Sequence, residues 1–101
     1  MIKLEVDILK DIIQSEPKLM VMFGTDWCGN CDILKPEFEK ISKIYNTIPF
    51  LFVNPDYMIE SAKLVDLTNI PTVVAFKNGI IVKSEFGNKA EIVENVLSVL
   101  L

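Results

Sequence analysis

The sequence has no histidine, only two cysteines, one tryptophan and four glycines in 101 residues. Without histidine, it lacks the usual general base near neutral pH and the commonest nitrogen ligand for a metal. Its ten Lys and Arg are outnumbered by fourteen Asp and Glu, giving a net charge of −4. No basic stripe exists to neutralise phosphates, which excludes nucleic acid as a partner. Long apolar runs are missing too. Leu19–Phe23 and Pro49–Val53 fall far below the roughly 18 residues of a membrane span. The first residues, Met1 to Asp7, carry two acids and lack the basic and apolar regions of a secretory or transit segment. The expected compartment is the cytoplasm. There, a close pair of cysteines is more often catalytic or metal-binding than a structural staple.

What is present is globular in composition. Half the residues are apolar and 24% are charged, and the length suits one domain spanning 1–101. Ile2–Val6 reads as a short edge strand or an arm. Asp7–Ser15 has apolar residues at 8, 9, 12 and 13, a helical face with Asp7 as its N-cap, ended by Pro17. Lys18–Gly24 is a continuous apolar run that suits a strand buried on both faces. Cys28–Tyr45 reads as a long amphipathic helix with Pro36 inside it. Pro49–Asn54 is a second buried strand, and Tyr57–Val65 a helical segment after the turn Asn54-Pro55-Asp56. Pro71–Lys77 and Ile80–Phe86 flank Asn78-Gly79, a strong hairpin signal. Lys89–Leu101 closes the chain as a helix. Alternating strands and helices imply parallel crossovers, and the hairpin adds an antiparallel edge. The reading is an α/β fold with a mixed sheet of four or five strands and helices on both faces.

The two cysteines sit three apart in Trp27-Cys28-Gly29-Asn30-Cys31, where the first buried strand gives way to the long helix. If Cys28 begins that helix, unpaired backbone N–H groups and the positive end of the helix dipole favour its thiolate. Such sites lower a cysteine pKa from about 8.5 to roughly 3.5–7.5. Cys31, one turn on, can reach the Cys28 sulfur and resolve a mixed disulfide at high effective concentration. Gly29 leaves room for a substrate backbone, and Trp27 would form an apolar wall beside the sulfur. Other readings stay open. Zinc wants four ligands, so a metal or iron–sulfur site through this pair would need a dimer. A disulfide at this spacing closes too small a loop to restrict the unfolded chain much.

Together these residues resemble the thioredoxin family. Trp27-Cys28-Gly29-Asn30-Cys31 is similar to its WCGPC motif, and Pro36 stands where the family has a helix-kinking proline. Ile70-Pro71-Thr72 resembles its cis-proline loop, Phe76-Lys77-Asn78-Gly79 the hairpin that follows, and Gly87 the glycine after it. The resemblance runs from about Lys3 to Leu101. It implies the thioredoxin fold and a cis Ile70–Pro71 bond packed against the dithiol. It also implies a groove of Trp27, Gly29, Asn30, Ile70, Pro71 and Gly87 that takes a substrate peptide as an added strand on Ile70.

Three departures stand out. Asn30 replaces the motif's proline, and its retained N–H would add a donor near the Cys28 sulfur and raise the redox potential. Met22 stands where the family has a buried Asp that is thought to move the proton of the second cysteine, and Phe52 replaces the lysine paired with it. Losing both together is coherent, because one buried charge left alone costs several kcal/mol. Asp32 follows Cys31, where the family commonly has lysine, and reads as a solvated first-turn residue that favours the helix dipole. Asp26 reads as an exposed loop residue.

The expected function is a thiol–disulfide oxidoreductase, a monomeric soluble electron carrier in which Cys28 attacks and Cys31 resolves. Its partners would be disulfide-containing proteins and a thioredoxin reductase or glutathione-linked reductant. No cofactor or metal is expected beyond the Cys28–Cys31 disulfide itself, and no membrane. The alternatives are an adaptor module with little turnover and metal or iron–sulfur binding by a dimer.

Overall fold

The apolar run Leu19–Phe23 lies in the middle of the sheet because both of its faces need cover. The computed structural model describes Met1–Leu101. Its elements are β1 (Ile2–Lys3), α1 (Leu9–Ser15), β2 (Lys18–Phe23), α2 (Gly29–Ile44), β3 (Phe50–Val53), α3 (Ile59–Ala62), β4 (Thr72–Lys77), β5 (Ile80–Phe86) and α4 (Ala90–Ser98). The sheet order is β1-β3-β2-β4-β5. β3 runs parallel to both β1 and β2, while β4 runs antiparallel to both β2 and β5. At the hairpin, Asn78 and Gly79 both have positive φ, 52° and 81°. That is the backbone a tight two-residue connection requires.

Side chains alternate across each strand, so the sheet supports two cores. Met20, Met22, Phe50, Phe52, Val73 and Ala75 pack under α2 and α4, together with Cys31, Leu34, Phe38 and Leu97. Leu19, Val21, Phe23, Leu51, Val53 and Val74 face the other way, against Leu9 and Ile13 of α1 and Met58 and Val65 around α3. The mixed sheet with helices on both faces is therefore present. Pro36 lies inside α2 without ending it.

Several boundaries differ from the sequence reading. β1 is only two residues long. The expected helix Tyr57–Val65 shrinks to four residues. Beyond it the chain continues as tight i→i+3 bonds, Lys63 N–H to Glu60 O and Val65 N–H to Ala62 O, which turn Val65 into the core. The closing helix ends at Ser98, short of Leu101.

Asp7 is the instructive difference. It does not cap α1, whose N-cap is Ile8 with no side-chain bond. Its carboxylate instead accepts the N–H groups of Glu60 (2.9 Å) and Ser61 (2.7 Å) and the Ser61 hydroxyl. Ser61 Oγ in turn accepts the Leu9 N–H at 3.2 Å. The starts of α1 and α3 are thus tied to each other through side chains 54 residues apart. The Ser61 hydroxyl, then the two amides, hold the Asp7 carboxyl below the usual carboxylate range.

The folded pKa of Asp7 lies below its unfolded one. Its contribution is complete above the unfolded value and disappears as pH falls through the folded one. Asp7→Asn should lower the urea midpoint at pH 7 and flatten the acid limb of the stability–pH curve; an unchanged acid limb would count against this role. Ser61→Ala strands the buried Leu9 N–H and should cost about 1–3 kcal/mol by urea unfolding.

Candidate active site

β2 delivers the dithiol. After Phe23 the chain leaves the sheet, passes Gly24–Trp27 and enters α2 at Gly29. Cys28 is therefore the N-cap of α2, with extended φ −99° and ψ 110°, and not its first helical residue. Its Sγ does the work of a capping oxygen, accepting the Cys31 N–H at 3.1 Å. An orphan amide and the helix dipole both point at this sulfur, which favours negative charge there. Cys28 and Cys31 are joined as a disulfide, with Cα atoms 5.2 Å apart. Cys28 is 8% exposed and Cys31 2%, so the N-terminal sulfur is the more accessible one.

The Ile70–Pro71 bond is cis, and the Ile70 carbonyl oxygen lies 3.8 Å from Cys28 Sγ. Pro71 O accepts the N–H of Gly87 at 3.2 Å. Gly87 has φ +140°, a conformation that favours glycine. Cys28, Cys31, Ile70, Pro71 and Gly87 are thus brought together. The space above Gly29 is open: a methyl on its Cα would meet nothing within 4 Å.

Trp27 is 73% exposed, and its Nε1 donates to Asp56 Oδ2 at 2.8 Å. With Thr25, Pro55, Asp56, Leu67 and Ile70 it lines a cleft of about 280 Å³ beside the dithiol. The indole is held outward because Asp56 satisfies its only polar atom. Asp26 is exposed and accepts the Tyr57 hydroxyl at 3.3 Å. Asp32 is exposed in the first turn of α2.

Asn30 also departs from expectation. The amide on the Cys28 sulfur is that of Cys31, not of Asn30. Asn30 Oδ1 instead accepts the Asn88 side-chain amide at 3.1 Å. The extra donor from which a raised potential was expected is therefore not at the sulfur.

Beneath the disulfide, Met22 and Phe52 are register partners on adjacent strands and are 0% and 4% exposed. Lys35 of α2 places its Nζ 4.2 Å from the centre of the Phe52 ring, a cation–π contact. Gly24, Thr25, Asp56 and Asn88 were missed by the sequence reading. Gly24, a glycine closing an apolar run, carried the signal of a close approach. Asp56 and Asn88 are loop residues whose partners are distant in sequence, and Thr25 is a buried loop residue whose hydroxyl has no partner.

A family model described as thioredoxin matches residues 2–98. The thioredoxin of Mycoplasma genitalium is 33% identical over 79 residues, 78% of this chain and 78% of that protein. The Mycoplasma pneumoniae thioredoxin is 35% identical over 71 residues, 70% of each. Among solved structures, the reduced Schistosoma mansoni thioredoxin pre-protein superposes with a TM-score of 0.89 at 28% identity, covering 99% of this chain and 97% of that one. A Plasmodium falciparum thioredoxin reaches 0.91 over the whole of both chains at 24% identity, a likeness of fold.

A methyl added at Gly24 would stand 3.1 Å from both Cys31 Sγ and Phe52 Cε2. Both neighbours are packed, so Gly24→Ala should destabilise the disulfide form by about 1–3 kcal/mol in urea unfolding. Unchanged stability would show that the Phe52 ring gives way freely.

Proposed function

This chain belongs to the thioredoxin family of thiol–disulfide oxidoreductases, and we propose that residues 1–101 act as one domain carrying two electrons from the Cys28–Cys31 dithiol to protein disulfides in the cytoplasm. The observation that carries the assignment of roles is the Cys31 amide on the more accessible sulfur, that of Cys28. Cys28 is the attacking thiolate. It bonds to one sulfur of the substrate disulfide, and the other substrate sulfur leaves as a thiolate. Cys31, deprotonated, then attacks Cys28 Sγ. The mixed disulfide breaks, the second substrate thiolate leaves, and Cys28–Cys31 is closed. The substrate has gained two electrons, and the domain has lost them.

The disulfide is the redox group, as in other thioredoxins, and a separate reductase must restore the dithiol. A thioredoxin reductase or a glutathione-linked reductant is the class of partner required. Trp27 and Ile70 flank the cleft beside the dithiol and form the apolar walls for the substrate. The Ile70 backbone pairs with the substrate strand, and Pro71 and Gly87 shape the floor. Gly29 leaves the sulfur open, while Asn30 forms the rim. The domain works as a monomer.

The proton of Cys31 is the step in which this chain departs from its family. Met22 and Phe52 offer no acid or base under the sulfur, so solvent takes the proton.

Reduction of insulin by dithiothreitol should accelerate in the presence of the protein. Cys28→Ser should abolish the acceleration, and Cys31→Ser should accumulate a mixed disulfide at Cys28. A Cys28→Ser protein as active as the parent would overturn the assignment of roles. Met22→Asp should raise the exchange rate below pH 8 while costing several kcal/mol of stability from an unpaired buried carboxylate. An unchanged rate in the folded variant would mean that the missing acid is not limiting.

A further inference from the structure

We propose that Asn88 is a positioning residue for the dithiol, and that its amide clamps Asn30 in place of the proline ring that the motif lacks. Asn30 is the second residue of α2, between the two cysteines. A proline there would fix φ in the first turn, where a missing N–H costs nothing. Asparagine has no such restraint, and the freer turn has more conformations to lose. The structure supplies a substitute from outside. Asn88 Nδ2 donates to Asn30 Oδ1 across 58 residues of sequence.

That bond completes a circuit around the sulfurs. The dithiol turn meets the cis-proline loop where Ile70 O approaches Cys28 Sγ at 3.8 Å. The cis-proline loop meets the next loop through Gly87 N–H and Pro71 O at 3.2 Å. Asn88 adjoins Gly87 and returns to the dithiol turn through Asn30. It is the side-chain hydrogen bond that ties the β5–α4 loop to the turn holding the cysteines. The tie is present with the disulfide closed, and the clamp acts by favouring that geometry over the dithiol's. Losing it shifts the equilibrium toward the dithiol.

The inference rests on Cys28 and Cys31 being the exchanging pair, but its test does not require turnover of a protein substrate. The equilibrium with glutathione redox buffers is measured at pH 7 for the parent, Asn88→Ala, Asn30→Ala, Asn30→Pro and the Asn30→Pro/Asn88→Ala double variant. An exposed side-chain hydrogen bond sets the expected scale at about threefold in the equilibrium constant. Asn88→Ala should move the parent toward the dithiol by that factor, and Asn30→Ala should do the same. In the Asn30→Pro background the Asn88→Ala shift should nearly vanish, because proline has no Oδ1 for Asn88 to hold. Asn30→Pro itself should stay closer to the parent than Asn30→Ala, because the ring restrains the turn in place of the clamp. No shift on Asn88→Ala, or an equal shift in both backgrounds, would overturn the clamp. Insulin reduction run alongside reports separately on the proposed function: a protein that equilibrates with glutathione but leaves insulin untouched keeps the clamp and loses the substrate class.

Discussion

One amide donated to one sulfur, Cys31 N–H to Cys28 Sγ, is the contact from which the site is built. It exists only if Cys28 keeps an extended backbone while the helix begins at Gly29. That geometry depends on where β2 stops. β2 cannot slide, because a one-residue shift would exchange its two buried faces. Leu19 to Phe23 are all 0% exposed, and each is matched to a partner on β4. The position of the reactive sulfur is therefore set by the packing of the sheet. The short link Gly24–Trp27 transmits it.

The underside of the disulfide follows from the same packing. A charge placed at Met22 or Phe52 would lie inside the core shared by α2 and α4, where an unpaired ion is costly. This chain keeps both positions apolar and brings its positive charge from the helix side, with Lys35 over the Phe52 ring. Gly24 belongs to the same arrangement. The Phe52 ring edge and Cys31 Sγ occupy the space in which a side chain at that position would begin. The bulk of the Phe52 ring is thus matched by the missing side chain at Gly24.

Features governed by periodicity or by a short spacing were legible in the sequence. The uninterrupted run at Leu19–Phe23, the Asn78-Gly79 turn and the Cys28–Cys31 spacing each carry a local physical signal, and each appears in the structure. The limits of α3 were not legible, because a four-residue helix depends on a cap supplied by Asp7 from the far end of the chain. The bond that orients Trp27 was not legible, since nothing nearby in sequence announces that Asp56 will take its N–H. Asn30 read as a free donor for the same reason. Its partner Asn88 lies in a loop whose composition only marks it as a loop. Such polar ties leave no periodic trace, because they join positions brought close only by the completed sheet.

These ties divide the site into two regimes. The sulfurs are seated on buried side chains, whose displacement would cost core contacts. The Trp27 edge of the cleft is held by an exposed bond, Trp27 to Asp56, worth little against water. An edge held so weakly can yield to a substrate's backbone without disturbing the seat. Attack on a disulfide demands an accurately placed sulfur, whereas acceptance of differently shaped proteins demands an adaptable edge. Separating the two lets one fold meet both demands, since the core fixes the first and the loops supply the second.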